Sequence, residues 1–220
     1  MSIAVGKKIK VVPMNAPIGA EVHGIDLSQN LDVDVLKQIE DAYDRHSVIV
    51  FRDQQITPEQ HIRFSAHFGP LEVHVLRQYL LFGHPEILVV SNVRNDEGQF
   101  TGLPDAGRTW HTDTSYRQKP SRGSVLYALE IPRSADGKPL GDTLFAGTAP
   151  AYDDLPRELK TLLSEKRAVH CYAQRKRIKD SQRAKLTKEQ RDQTPDVTHP
   201  IVRTHPKTGR KALYVFEGSA

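Results

Sequence analysis

A single cysteine, Cys171, stands in a chain of 220 residues, which excludes an internal disulfide and leaves packing and hydrogen bonding to hold the fold. A small buried apolar role is expected for it, ahead of that of a reactive thiol. No apolar run approaches the ~20 residues that a membrane span needs. The opening stretch Met1 to Lys8 also lacks the apolar core of a secretory signal, so a cytoplasmic protein without a membrane partner is expected. Aromatic residues are sparse at 7%, with one tryptophan, and this bears on the charge pattern. Between Lys166 and Arg191 stand ten Lys or Arg residues against only Asp180 and Glu189, although the whole chain carries just +4. A nucleic-acid groove would want stacking rings beside such charge, and only Tyr172 is interleaved. A solvated helix or loop is therefore expected there, with no nucleic-acid partner. The same charge could steer an anionic substrate.

At this length one substantial core can form, and neither an internal repeat nor a second domain is visible, so residues 1–220 are read as a single domain. Short strands are expected over Lys8 to Met14 and Ala20 to Ile25, separated by the Asn15-Ala16-Pro17 turn. Val35, Leu36, Ile39, Ala42 and Tyr43 recur at helical spacing between Asp32 and His46. The β-branched run Ser47 to Phe51 then predicts a buried strand. Thr57, Pro58 and Gln60 form the signature of a capping box with proline at the first helical position, and Gly69-Pro70 marks the end of that helix. Further strands are expected over Ile87 to Val93, Ser124 to Ile131, Thr143 to Ala146 and Ala212 to Phe216, with a surface helix over Pro156 to Lys166. This is not the regular alternation of a doubly wound sheet, and the pattern alone reads as α+β with a substantial sheet. Asp96 to Gly107 holds three glycines and a proline, which suggests either a mobile loop or surface slack.

Immediately after that loop comes Trp110-His111-Thr112-Asp113-Thr114-Ser115-Tyr116. On a strand, residues i and i+2 share a face, so His111 and Asp113 can aim at one point. An imidazole and a carboxylate are two of the three ligands of the facial triad that holds non-haem Fe(II) with open positions. The alternatives for an isolated H-x-D are a surface turn or a satisfied core pair. Trp110 is expected to pack in the core beneath the strand, and Tyr116 has the same two readings, core or substrate contact.

Taken with Gly141-Asp142-Thr143-Leu144-Phe145, His199-Pro200-Ile201-Val202-Arg203-Thr204-His205-Pro206, Ile18 to Leu27, Val50 to Gln54 and Phe68 to Leu71, this segment resembles the taurine dioxygenase (TauD/TfdA-type) family. These are Fe(II)- and 2-oxoglutarate-dependent dioxygenases. The resemblance implies a double-stranded β-helix (jelly-roll) core with flanking helices. It implies iron on His111 and Asp113, and contact between Thr143 and 2-oxoglutarate. His74 falls on a substrate-facing histidine, and Arg77 stands where the taurine enzyme has a sulfonate-binding tyrosine, which argues against taurine itself. The implied reaction hydroxylates a small anionic substrate such as a sulfonate, sulfate ester or carboxylate, using dioxygen and releasing succinate and CO2.

Family members continue beyond the point matching Ala220, carrying a distal iron histidine and an arginine that pairs with 2-oxoglutarate. No residue present is assigned to either role: His170, His199 and His205 are expected to be structural, as His-Pro pairs favour extended or turn geometry. The resemblance thus implies a fold incomplete at its C-terminus, with open sheet edges and exposed apolar surface. Two further readings stand beside the dioxygenase: a short homologue that binds without turnover, and an unrelated basic binding module whose H-x-D is accidental. A homo-oligomer is compatible with all three.

Overall fold

The computed structural model describes residues 8–172 and 186–216. They fall into two compact units that alternate along the chain: 8–68, 125–155 and 204–212 in the first, and 69–124, 156–172, 186–203 and 213–216 in the second. Most of the expected basic stretch lies outside the described residues.

The first unit is built on a three-stranded sheet. Strand β1 (Lys10–Pro13) runs antiparallel to β2 (Ala20–His23), with Lys10 opposite His23 and Pro13 opposite Ala20. Between them Gly19 adopts φ +101, and a Cβ there would sit 2.8 Å from the Met14 sulfur. Helix α1 (Val33–His46) follows, with Val35, Ile39 and Ala42 buried at i, i+4 and i+7. It stops at Ser47, whose φ of 66 turns the chain while its N–H bonds to the Tyr43 carbonyl. Strand β3 (Ile49–Val50) then pairs parallel with β2. It is shorter and less buried than the β-branched run suggests, because only these two residues meet a partner.

Helix α2 (Pro58–Ala66) begins as the sequence dictates. The Thr57 hydroxyl accepts from the Gln60 N–H, and the Gln60 side chain accepts from the Thr57 N–H, closing the box. Phe64, on the buried face, meets Phe51 and Phe68 edge-on with centroids 5.5 Å away in each case. Ile9, Val22, Leu27, Val35, Ile39 and Phe64 make the core of this unit.

Val125 to Phe145 departs from expectation. The predicted strands Ser124–Ile131 and Thr143–Ala146 join no described strand; only the hairpin tip closes, with Ser134 N–H on the Lys138 carbonyl and Leu140 N–H on the Pro132 carbonyl. A β-prone run becomes a strand only where a neighbour supplies ladder bonds. Among the described residues the contacts instead come from side chains, such as the Tyr127 hydroxyl, which accepts from Ile56 N–H and donates to the Gln54 carbonyl. The consequence is exposure: Leu126, Leu129, Leu144 and Phe145 are all more than half exposed. Helix α3 (Thr148–Asp153) ends this stretch.

In the second unit the chain makes a 3-10 turn over Arg77–Tyr79, followed by the hairpin of β4 (Leu80–Leu81) and β5 (His84–Leu88). Val75, Leu76, Tyr79 and Leu103 form its core cluster. Helix α4 (Arg157–Leu163) precedes β6 (Arg167–His170), which pairs antiparallel with β7 (Val197–Pro200) so that Ala168 faces His199. Helix α5 (Lys188–Asp192) lies between these strands in sequence. The fourth sheet is the hairpin of β8 (Val202–Thr204) and β9 (Lys211–Leu213), of which Thr204–Ala212 is grouped with the first unit.

The architecture is α+β with four small sheets, and no closed double-stranded β-helix ladder forms among the described residues. No helix of the described residues is long and apolar enough to cross a membrane.

Candidate metal centre

His111 and Asp113 do not lie on a strand. Residues 110–112 are irregular, 113–116 form a turn, and Thr114 adopts φ 50. The cause is local hydrogen bonding that competes with any ladder. The Thr114 hydroxyl accepts from Ser121 N–H at 2.8 Å and donates to the Ser121 hydroxyl at 2.9 Å, while the Arg117 N–H bonds back to the Thr114 carbonyl.

The two side chains nevertheless converge, with His111 Nε2 3.4 Å from Asp113 Oδ1. His111 Nδ1 lies 2.8 Å from the Thr109 carbonyl, which can only accept, so Nδ1 carries a proton and, in the neutral ring, Nε2 presents its lone pair. A lone pair and a carboxylate oxygen at that separation repel unless a cation or proton lies between them. On the far side, the Ser124 hydroxyl donates to Asp113 Oδ2 at 2.6 Å and fixes the carboxylate. Outer hydrogen bonds that set the tautomer of a ligating histidine and orient a ligating carboxylate are the usual surroundings of a metal. This donor set therefore fits a divalent ion. The side chains are 31% and 55% exposed, so small molecules reach them. Among the described residues no third His, Cys, Asp or Glu completes a metal-binding group.

The other expected residues fall as follows. Thr143 is exposed in the extended part of the first unit, whereas His111 and Asp113 belong to the second. His74 is half-buried ahead of the Arg77–Tyr79 turn; its Nδ1 accepts from Leu76 N–H at 3.1 Å, which places the ring proton on Nε2 as a donor. Arg77 is exposed. Trp110 is 54% exposed, against the expected core role, because the irregular stretch that carries it gives it no sheet to pack beneath. Tyr116 and Cys171 are buried.

The glycine-rich segment before the site is a built hairpin. Thr101 N–H bonds to the Val93 carbonyl, Asn95 N–H to the Gln99 carbonyl, and the Arg94 guanidinium lies 3.8 Å over the Phe100 ring. A Cβ on Gly102 would meet the Val89 carbonyl at 2.8 Å, so glycine is required for this close crossing. Asn92, Phe100, Pro104, Asp105 and Arg108 line a small cleft here of about 100 Å³.

His170 and His199 are buried and packed against each other. His170 is fully buried, stacked on Tyr214 with centroids 5.2 Å apart and met edge-on by His199 at 5.1 Å. Among the described residues neither of its ring nitrogens has a partner at hydrogen-bond geometry. Burial above all holds its pKa below the ordinary histidine value, with the His199 and Arg203 charges adding and the Tyr214 backbone opposing. Burial likewise raises the Tyr214 phenol, against the neighbouring Arg203. As pH falls through the ordinary histidine range, the unfolded chain takes up a proton that folded His170 refuses, so stability is present above that range and declines below it. His170→Phe keeps the packing and removes this dependence. Melting temperatures measured from pH 7.5 to 5.5 are expected to fall less steeply in the variant; parallel profiles would contradict the assignment. His205 Nδ1 accepts from the N–H groups of Lys207 and Thr208 and caps a turn.

Sequence reasoning missed Thr109 and Ser124 as partners of His111 and Asp113. Ser124 stands eleven residues from Asp113, with no local pattern to link them.

Comparison with known proteins bears on this geometry. The family model described as taurine catabolism dioxygenase TauD, TfdA family matches residues 10–220. The chain is 35% identical over 215 residues to the alpha-ketoglutarate-dependent 2,4-dichlorophenoxyacetate dioxygenase of Cupriavidus pinatubonensis, covering 92% of this chain and 71% of that protein. It is 32% identical over 213 residues to the alpha-ketoglutarate-dependent sulfate ester dioxygenase of Pseudomonas putida, covering 94% and 65%. Among solved structures, a taurine dioxygenase from Burkholderia xenovorans superposes with a TM-score of 0.65 at 28% identity, covering 96% of this chain and 64% of that one.

Proposed function

Because the chain belongs to the TauD/TfdA family, whose members are 2-oxoglutarate-dependent dioxygenases, we propose that it hydroxylates a small anionic organic molecule with 2-oxoglutarate as cosubstrate and Fe(II) on His111 and Asp113. The observation that carries this reading is the paired aim of the two side chains, with the His111 proton committed to Thr109. The proposal includes a double-stranded β-helix of which the small sheets are parts, supported by the likeness to a taurine dioxygenase structure.

When bound, iron with 2-oxoglutarate supplies the oxidising chemistry that dioxygen alone lacks. The protein's own part is placement. Thr109 holds His111 in its ligating tautomer, and Ser124 turns the Asp113 carboxylate toward His111. Thr143 offers a hydroxyl to 2-oxoglutarate. His74 presents its Nε2–H, and Arg77 a permanent charge with a planar set of donors, to the anionic group of the substrate. Relatives named for a phenoxyacetate, a sulfate ester and a sulfonate all take molecules with such a group, which supports the substrate class.

A second reading, a homologue that binds without turnover, is favoured by one observation: no third ligand completes the group among the described residues. Succinate release separates the two. With Fe(II), 2-oxoglutarate and dioxygen, a panel of aryloxyacetates, alkyl sulfates and alkyl sulfonates is expected to include one class that stimulates succinate formation. Arg77→Ala should then raise KM for that class at least about tenfold with a smaller change in kcat, as for a lost charge-assisted contact. Binding of 2-oxoglutarate with no stimulated succinate from any class would favour the second reading.

A further inference from the structure

We infer that His199 is the positioning residue of the metal turn: from strand β7 it clasps the backbone that carries Asp113. The inference rests on the metal reading above for its functional meaning, but its geometry stands alone. His199 Nε2 lies 3.0 Å from the Ser115 carbonyl and 3.0 Å from the Arg117 carbonyl, 84 and 82 residues away in sequence. Carbonyls only accept, so Nε2 carries a proton shared between both oxygens. Ser115 is 1% exposed and His199 5%, which keeps water from substituting for the donor.

Several contacts hold the turn. Ser124 holds Asp113, Ser121 holds Thr114, Glu72 pairs with Arg117 at 3.2 Å, and His199 takes the two backbone carbonyls. The first two come from the continuation of the same loop and move with it. His199 comes from a strand, and its ring direction is fixed on two sides: His170 meets it at 5.1 Å and 78°, Tyr214 at 5.3 Å and 86°. Behind it, Ala168 pairs opposite on β6, Tyr214 N–H bonds to the Ile201 carbonyl, and Arg203 lies 4.4 Å over the Tyr214 ring. His199, Arg203 and Tyr214 thus form a brace whose working end is one N–H. It fixes a backbone point two residues from Asp113, in a turn whose Thr114 already sits at positive φ. Small shifts in a ligand's supports commonly weaken metal binding 10–100-fold, in the range of about one to two powers of ten.

The test compares His199→Phe, which fills the same space without the donor, with His199→Gln, whose amide can restore it, and with His170→Phe, which keeps a ring against His199 and removes only the neighbouring nitrogens. Two measurements on the full chain are made: amide hydrogen exchange over residues 113–117, and Mn(II) affinity by paramagnetic resonance. In His199→Phe the turn amides are expected to exchange at least about tenfold faster and Mn(II) to bind about 10–100-fold more weakly. His199→Gln should recover most of both, and His170→Phe should match the parent. Should His199→Phe not fold, His199→Asn, whose amide is one carbon shorter than that of glutamine, takes its place against His199→Gln. Unchanged turn exchange in the folded variant would overturn the clasp. Equal losses in His170→Phe would overturn it too, by reducing the effect to general core damage. Failure of the metal reading shows differently: Mn(II) affinity would be insensitive to His111→Ala, while turn exchange would still respond to His199.

Discussion

Replacing His111 by alanine is expected to weaken Mn(II) or Fe(II) binding by at least about a hundredfold, more than removal of an outer support costs, while moving the melting temperature by no more than about 2 °C. The two halves of this expectation have separate causes. His111 Nε2 and Asp113 Oδ1, 3.4 Å apart, are the pair of described donors that a divalent ion would bridge, so removing one leaves a single carboxylate oxygen, a weak site in water. The side chain is 31% exposed, and its hydrogen bond from Nδ1 to the Thr109 carbonyl can be replaced by solvent. Folding therefore loses little. Isothermal titration with the metal, alongside a thermal melt, checks both. Retained affinity would remove His111 from the site, and a large fall in melting temperature would recast it as structural.

The second large effect concerns solubility. Val125 to Phe145 presents Leu126, Leu129, Ile131, Leu140, Leu144 and Phe145 at 48% exposure or more, on a backbone that forms no ladder with a described strand outside the hairpin tip. Exposed apolar area joined to unpaired extended backbone is the common recipe for association. The double variant Leu129→Glu, Phe145→Glu is expected to raise the saturation concentration at least about tenfold and to reduce binding of an apolar dye markedly. Both side chains are so exposed, at 86% and 60%, that the substitutions should cost little stability. Unchanged solubility and dye binding would show that this surface is covered in solution.

The parts of the fold legible in the sequence are those set by neighbours a few residues apart. The Thr57–Gln60 box needs only the backbone of one turn, and α1 announces itself through Val35, Ile39 and Ala42 because helical spacing alone brings them together. Ser124 to Ile131 shows the limit of such reading: its composition specifies an extended chain, but pairing depends on a partner that composition cannot supply. His111 and Asp113 were identifiable as a dyad, and they do converge. The strand on which they were placed is instead a turn, since the Thr114 hydroxyl reaches Ser121 seven residues later. Trp110 was misplaced for the same reason. His199 lies more than eighty residues from the carbonyls it holds, so nothing in its own neighbourhood signals that contact. The His199-Pro200 pair suggests extended backbone, and β7 runs through it, without showing what the imidazole touches.

If His111 and Asp113 are the anchored half of an iron site open to 2-oxoglutarate, anaerobic titration of the chain with Fe(II) and 2-oxoglutarate, followed by the visible metal-to-ligand charge-transfer absorption, shows it. A band that requires both additions and is absent in His111→Ala is expected. A band of equal strength in His111→Ala, or none in the parent protein at saturating Fe(II) and 2-oxoglutarate, would contradict it.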